Sequence, residues 1–336
     1  MIDWKRFVER IEASRRVLVT AHIRPDGDCI GSEVAMARVL KSLGKEVRIV
    51  NGHRTPHALR PIDPDNWVRP IEELTDEERA WIETIDLLLV CDTRSWQQLG
   101  SMGDIVRSTK AIKIVLDHHN LGDDIGAELY VDKSAEATGR LVFEAAQRLG
   151  VPLTKEITDP IFAAMATDTG WFRFSSVGAA TFRVVAELLD AGTLVDEQYR
   201  ELFEGETLGR IRLIGRALAK TESLLDGLLM VTSITQEDLR LAGAHPSETE
   251  DIVNMTLQVG GSRLAAILVE QREGDFKVSF RSRCDVDCSL LARRFGGGGH
   301  KSAAGALIDK PLEETRQLVV DAITEALRNL TQHESA

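Results

Sequence analysis

Residues 112–120 read Ile-Lys-Ile-Val-Leu-Asp117-His118-His119-Asn120. The apolar run Ile114-Val115-Leu116 reads as a buried strand that ends in one carboxylate and two imidazoles. Three other apolar segments behave alike. Val17-Leu18-Val19-Thr20 leads into His22-Ile-Arg-Pro-Asp26-Gly-Asp28, Leu87-Leu88-Leu89-Val90-Cys91 leads into Asp92, and Ile161–Thr167 leads into Asp168. In an open α/β sheet the carboxyl ends of the strands converge on one crevice. Carboxylates and imidazoles gathered there would repel or lose solvation unless cations held them. The pattern predicts a metal site with more than one ion.

Outward from these segments the chain alternates strands and helices. Strands are expected at 17–21, 46–50, 85–91 and 111–116, and helices at 3–14, 30–43, 138–149, 156–167 and 181–191, with a loop-rich stretch over 51–80. The segment 156–167 is apolar enough to read either as a helix or as a strand. Alternation of this kind implies an α/β fold with a doubly wound, mainly parallel sheet. The pattern changes after about residue 192. Residues 193–224 read as a charged helical connector, and 225–336 as a smaller mixed α+β domain with strands at 228–234, 263–271 and 276–283 and helices at 236–243, 287–295 and 312–329.

Composition narrows the function. With 43% hydrophobic and 28% charged residues the chain is ordinary for a globular protein. No apolar run approaches the roughly 20 residues of a membrane span, and the N-terminus lacks a signal-peptide core, so no membrane partner and a cytoplasmic location are expected. Cys29, Cys91, Cys284 and Cys288 fit a reducing compartment, and no second Cys or His pair at zinc-site spacing accompanies the last two. A formal charge of −12 argues against binding long duplex nucleic acid. It leaves room for a small anionic substrate, because metal ions and a few Arg residues reverse the local field.

Two further stretches carry chemistry. Gly296-Gly-Gly-Gly-His300-Lys-Ser-Ala-Ala-Gly305 holds four consecutive glycines, a composition that does not stabilise helix or strand but lets backbone N–H groups approach a phosphate. Gly297, Gly298, Gly299 and His300 are therefore candidate phosphate contacts. Pro25 and Gly27 permit a tight strand-to-helix turn. Gly31 and Ser32 open the next helix, and the glycines serve turn geometry or anion contact.

These motifs together resemble the DHH phosphoesterase superfamily. His22-x-x-x-Asp26-x-Asp28, Asp92, Asp117-His118-His119 and Asp168 occur in the family order, and Phe280-Arg281-Ser282, Leu290–Phe295 and Gly296–His300 resemble its DHHA-type C-terminal domain, in the branch of the nanoRNase/pAp phosphatases of the NrnA type. The resemblance implies a metal-binding domain over 1–192 and a substrate-binding domain over 225–336. By it, His22, Asp26 and Asp92 would hold one divalent ion, and Asp28, Asp92, His118 and Asp168 a second, with Asp92 bridging. His119 would face substrate and Asp117 would orient the His pair. Arg281 and His300 would contact phosphate. Ser134 and Thr138 would lie beside the scissile phosphate, or else cap a helix. Trp171 and Phe172, close behind Asp168, could stack a base or belong to the core. The mixed donor set suits Mn²⁺, with Mg²⁺, Co²⁺ or Zn²⁺ as alternatives, and a pair of such ions stabilises the attacking and leaving oxygens of a phosphoester. His53 and His57 read as surface residues.

The expected activity is hydrolysis of short single-stranded oligonucleotides to 5′-mononucleotides, with removal of the 3′-phosphate of the nucleoside bisphosphate pAp beside it. Linear or cyclic dinucleotide hydrolysis is an alternative, as is a catalytically silent nucleotide-binding module. A homodimer is left open.

Overall fold

Six parallel strands frame the N-terminal part of the computed structural model, which describes residues 2–271, 274–299 and 301–333. The chain divides into two units, Met1–Gly205 and Glu206–Ala336. The elements of the first are α1 (Trp4–Ala13), β1 (Arg16–Thr20), α2 (Gly27–Ser42), β2 (Glu46–Asn51), β3 (Val68–Pro70), α3 (Asp76–Ile82), β4 (Leu87–Cys91), α4 (Trp96–Leu99), α5 (Met102–Ser108), β5 (Ile112–Asp117), β6 (Glu128–Val131), α6 (Thr138–Arg148), α7 (Lys155–Asp168), α8 (Ala179–Asp190) and α9 (Val195–Phe203). Their sheet order is β3-β2-β1-β4-β5-β6. Winding thus reverses between β1 and β4, and that switch point opens a crevice beyond the strand ends.

The central strands are apolar on both faces because both are covered. Along β4, Leu87, Leu89 and Cys91 join a core with α1, α2, α6 and α7, while Leu88 and Val90 join a second core with α3 and α5. A strand buried on one face would have alternated apolar with polar instead.

Several short elements escape the sequence pattern, α4 and α5 among them. β3 and α3 lie in the stretch read as loop-rich, and β6 is only four residues long. The segment leading to Asp168 is a helix, not a strand. Its apolar character comes from burial between α2 and α6. Small residues set this close approach. A Cβ on Gly31 of α2 would lie 2.4 Å from the Pro160 carbonyl oxygen, and one on Gly139 of α6 would lie 2.5 Å from the Ala164 Cβ. The glycines of α2 therefore serve helix packing, which neither turn geometry nor anion contact anticipates.

The second unit contains α10 (Leu208–Ala219), β7 (Glu222–Leu224), β8 (Leu229–Ile234), α11 (Gln236–Ala242), α12 (Ile252–Thr256), β9 (Leu264–Glu270), β10 (Phe276–Ser282), α13 (Cys288–Arg293), β11 (Gly298–Gly299), β12 (Ala303–Ile308) and α14 (Leu312–His333). Its sheet order is β11-β12-β10-β9-β8-β7, with β8 and β9 parallel and the other pairs antiparallel. The stretch 193–224 holds α9, α10 and β7, and the division between units falls between the two helices.

The glycine run corrects an expectation. Gly298 and Gly299 do form a short strand, paired with Gly305 and Ala304. A Cβ on Gly297 would lie 2.2 Å from the Gly305 carbonyl oxygen, and one on Gly299 would lie 2.5 Å from the Ala304 Cα. Absence of side chains is what lets this segment lie against β12. No described helix is long and apolar enough to cross a membrane.

Candidate metal centre

The crevice at the β1/β4 switch gathers the acids and imidazoles of the first unit. His22 leaves β1. Asp26 caps α2 by accepting from the Cys29 N–H at 3.0 Å, which turns Asp28 inward on the first turn. Asp92 follows β4, Asp117 closes β5, and His118 and His119 come next. Asp168 arrives from the C-terminal end of α7.

Asp92 is central. Its Oδ2 lies 3.3 Å from His22 Nε2, and its Oδ1 lies 3.6 Å from His118 Nε2 and 3.7 Å from His119 Nδ1. His22 Nε2 is also 3.7 Å from Asp26, and His118 Nε2 is 3.7 Å from Asp28 and 3.6 Å from Asp168. Three groups of ligand atoms result, each within 4.8 Å: His22, Asp26 and Asp92; Asp28, His118 and Asp168; and Asp92, His118 and His119. Asp92 adopts a left-handed backbone, φ 59°, which a short polar side chain tolerates better than most and which recurs at functional sites.

The ring orientations fit cation binding. His22 Nδ1 lies 2.9 Å from the Ile23 carbonyl, and His118 Nδ1 lies 3.2 Å from the Ala135 carbonyl. A carbonyl only accepts, so each Nδ1 carries a proton and each ring turns its Nε2, the nitrogen that would bind a cation, toward the acids.

The electrostatics ask for positive charge. Burial, then repulsion from the Asp92 and Asp168 carboxylates, pushes the Asp28 carboxyl well above its ordinary range. Asp168 is pushed up to about 6, by burial first. Burial opposes a charge on His22 too, but hydrogen bonding to Asp26 and Asp92 outweighs it and raises the ring to about 11. A proton on His22 thus does, for these acids, what a divalent cation would do better. The residues present fit such ions: two oriented imidazoles and four carboxylates, hard and borderline donors together.

A consequence follows for pH. Asp28 and Asp168 hold protons more tightly folded than unfolded, so the stability they contribute to the metal-free protein is expected to fall as pH rises from about 4, through about 6 for Asp168. Divalent binding requires their carboxylates. The rise in Tm on adding Mn²⁺ is therefore expected to be larger at pH 7.5 than at pH 5, by differential scanning fluorimetry. An equal rise at both pH values would contradict this electrostatic account.

Partners that the sequence does not reveal hold the acids in place. Asp28 accepts from the backbone N–H groups of Thr138 at 2.7 Å and Gly139 at 2.9 Å, and from Ser32 Oγ at 2.9 Å. It thereby caps α6 from another helix. Thr138, expected beside substrate or as a cap, is fully buried and donates to Asp92 Oδ1 at 2.8 Å. Its hydroxyl is committed to positioning. Ser134 also departs from expectation, since its hydroxyl donates to Asp132 at 2.7 Å in a local turn and caps no helix. Arg94 was missed altogether. It is buried and pairs with Asp117 at 2.6 Å. The only signal was an arginine two residues beyond a strand-end acid. Asp117 accepts from His119 Nδ1 at 2.8 Å, a bond that raises His119 and, with Arg94 alongside, holds Asp117 below its usual range although burial opposes this.

A cleft of about 540 Å³ opens beside the cluster, lined by His22, Asp26, Asp92 and His119 at its base. Trp171 and Phe172 are half-buried and pack edge-on and tilted against Phe162 at the margin of the core. His53 and His57, read as surface residues, are both exposed; His53 accepts from the Arg24 N–H at 3.2 Å, and His57 begins a short 3-10 turn.

In the second unit Arg281 lies on β10, with Nε donating to Asn254 Oδ1 at 3.0 Å. Gly298 and Gly299 are exposed, Gly297 is half-buried, and His300 lies outside the described residues.

Comparison with known proteins agrees with this division. The DHH family, N-terminal domain, matches residues 16–167, and the DHHA1 domain matches residues 232–329. A bifunctional oligoribonuclease and PAP phosphatase NrnA of Thermus thermophilus is 32% identical over 314 residues, 93% of this chain and 90% of that one. The protein of the same name in Bacillus subtilis is 27% identical and covers 87% of this chain and 89% of its own. A crystal structure of an exopolyphosphatase-related protein from Bacteroides fragilis superposes with a TM-score of 0.86 at 26% identity, over 99% of this chain and 97% of that one. With both domains in order and NrnA relatives alike over 93% and 87% of its length, this chain belongs to the DHH/DHHA1 phosphoesterase family.

Proposed function

We propose that this protein is a metal-dependent phosphoesterase that degrades very short oligonucleotides to 5′-mononucleotides and removes the 3′-phosphate of pAp. The observation that carries the reading is the Asp92 carboxylate, whose two oxygens face two separate imidazole and carboxylate groups. The names of relatives alike over nearly the whole chain supply the substrate class. A catalytically silent nucleotide-binding module would not need six candidate ligands with two rings held in the ligating tautomer.

His22, Asp26 and Asp92 would hold one ion, and Asp28, Asp92, His118 and Asp168 the other, with Mn²⁺ first in preference. Bound divalent ions polarise the phosphoryl group and activate water for attack. The chain's own residues do the rest. Asp117 accepts from His119 Nδ1 and its charge favours the doubly protonated ring, whose Nε2–H would then donate to an oxygen of the phosphoester. Thr138 and the N-terminus of α6 fix Asp92 and Asp28. Arg281, Gly297, Gly298, Gly299 and His300 are the proposed contacts of the second unit with substrate, Arg281 being suited to bidentate phosphate binding. Ser134 is proposed as a further substrate contact from the first unit. The four cysteines, all free, are consistent with the cytoplasm.

The test is a panel at fixed salt with Mn²⁺: pAp, 5′-phosphorylated RNA from two to about twenty-four residues, cyclic dinucleotides and pyrophosphate. kcat/KM is expected to be highest for the shortest strands and to fall steeply beyond about five residues, because each added phosphate must find cationic partners on a chain of net charge −12. A flat or rising profile would replace this reading with a processive exonuclease.

A further inference from the structure

The loop that carries His119 has no apolar anchor; at its start the His119 N–H and Nδ1 donate to Asp117 Oδ1 at 3.0 and 2.8 Å, and Asp117 must itself be held. Residues 119–124 are all exposed, Leu121 by 87%, and the next buried side chain is Ile125. A segment with no apolar side chain in the core should sample many conformations. Yet His119 must hold one orientation if it is to meet a phosphoester.

Arg94 supplies the missing anchor. It stands just past β4, and its guanidinium reaches across to the end of β5. Nη1 pairs with Asp117 Oδ2 at 2.6 Å and donates to the His119 carbonyl at 3.1 Å. Nη2 donates to the Asn120 carbonyl at 3.2 Å. The Arg94 carbonyl in turn accepts from the Asp123 N–H at 2.8 Å. Next to it, the Trp96 N–H donates to Asp123 Oδ2 at 2.8 Å and Trp96 Nε1 donates to the Asp124 carbonyl at 3.2 Å. Gly122 completes the fit. A Cβ there would lie 2.0 Å from Arg94 Cγ and 2.4 Å from its Nε. The loop therefore crosses directly over the stem of the arginine, which only glycine permits.

From this we infer that Arg94 is a positioning residue for His119, acting as a clasp that fixes the 119–123 loop over its stem at Gly122, and that the pair sets turnover without holding the ions. This rests on the phosphoesterase reading above. The division of labour follows from the bonds. His118 is held separately, through Nδ1 at the Ala135 carbonyl, and Asp92 by Thr138. Loosening the clasp should free His119 and leave both of those untouched. Lysine is not an equivalent substitute, because one ammonium can meet the Asp117 charge but lacks the fixed fork that serves two carbonyls as well.

The test uses Arg94→Lys, Gly122→Ala, Arg94→Ala and the double variant Arg94→Ala/Gly122→Ala in the metal-loaded full chain. Arg94→Lys keeps a cation beside buried Asp117, so it guards against loss of folding. Arg94→Lys and Gly122→Ala are each expected to lower kcat about tenfold to a hundredfold, the usual cost of losing an outer-shell support. KM and metal content should stay within about twofold of the parent. Gly122→Ala should have no further effect in the Arg94→Ala background, where the stem it would strike is gone. If Arg94→Ala does not fold, the two single variants decide. Hydrogen exchange of the 119–123 amides, read without substrate, should rise in both. Exchange in the loop unchanged from the parent would overturn the clasp, whatever the reaction proves to be. So would a kcat loss matched by an equal loss of bound metal. Rapid exchange in the variants together with a parent that hydrolyses no nucleotide would sink the phosphoesterase reading and leave the clasp standing.

Discussion

Asp92→Asn is expected to lower kcat for pAp and for dinucleotides by about a thousandfold or more, the scale of removing a preorganised electrostatic contact at a developing charge. The reason is that one carboxylate faces both groups of ligand atoms, so its loss weakens both at once. Asparagine is the informative substitution. It keeps the shape, tolerates the left-handed backbone at φ 59° and can still accept from Thr138, so only the charge is removed. Metal-free Asp92→Asn should unfold at a Tm equal to or above that of the metal-free parent, because one member of a repelling carboxylate cluster has been neutralised. Asp92→Ala should be equally inactive but less stable, as alanine carries the left-handed cost of about 1–2 kcal/mol without a polar side chain to offset it. Metal analysis beside steady-state kinetics checks the claim. Near-normal turnover of Asp92→Asn with a full complement of metal would refute the bridging role.

Gly31→Ala is expected to lower Tm by about 5–10 °C, with weaker metal binding as a consequence. Helix propensity alone forecasts the opposite sign, since glycine inside a helix is about 1 kcal/mol worse than alanine. The packing overrides it. The added methyl would sit 2.4 Å from the Pro160 carbonyl oxygen, 2.8 Å from the Ala164 Cβ and 3.0 Å from the Ala164 amide nitrogen. Two of these are backbone atoms of α7, so the two helices must part. Overpacking of this kind costs about 1–3 kcal/mol beyond the propensity gain, and a kilocalorie moves Tm by about 2–4 °C in a domain of this size. Separation of α2 from α7 also pulls Asp28 away from Asp168, which is why metal affinity should fall with stability. Thermal melts with and without Mn²⁺ measure both. A Gly31→Ala variant more stable than the parent would mean that the helices are not in contact as described.

The cluster of candidate ligands was legible because it is written locally. An apolar strand followed by an acid or imidazole is a short-range pattern, and a strand end at a switch point is where such residues meet. His22, Asp26, Asp28, Asp92, His118 and Asp168 were each found in this way, and they do lie together. The route of Asp168 was legible only in part: 156–167 reads as a helix, which α7 is, but its composition also allows a strand. A helix buried on all sides has the same apolar composition as a buried strand, and only its contacts with α2 and α6 distinguish them. β11 and β12 were hidden for a similar reason, because a glycine-rich pair carries no side-chain alternation to read.

What the sequence determined by itself was therefore the parallel sheet, the presence of a second, mixed unit and which donors gather at the strand ends, all of which follow from periodicity and spacing within some ten residues. What only the tertiary structure decided was how those donors are held. Thr138 meets Asp28 across 110 residues of chain and Asp92 across 46, and Arg94 meets Asp117 across 23. No local pattern encodes such pairs. They arise because an acid drawn from water must find donors wherever packing places them, and packing is settled by the glycines that let α2, α6 and α7 close on one another.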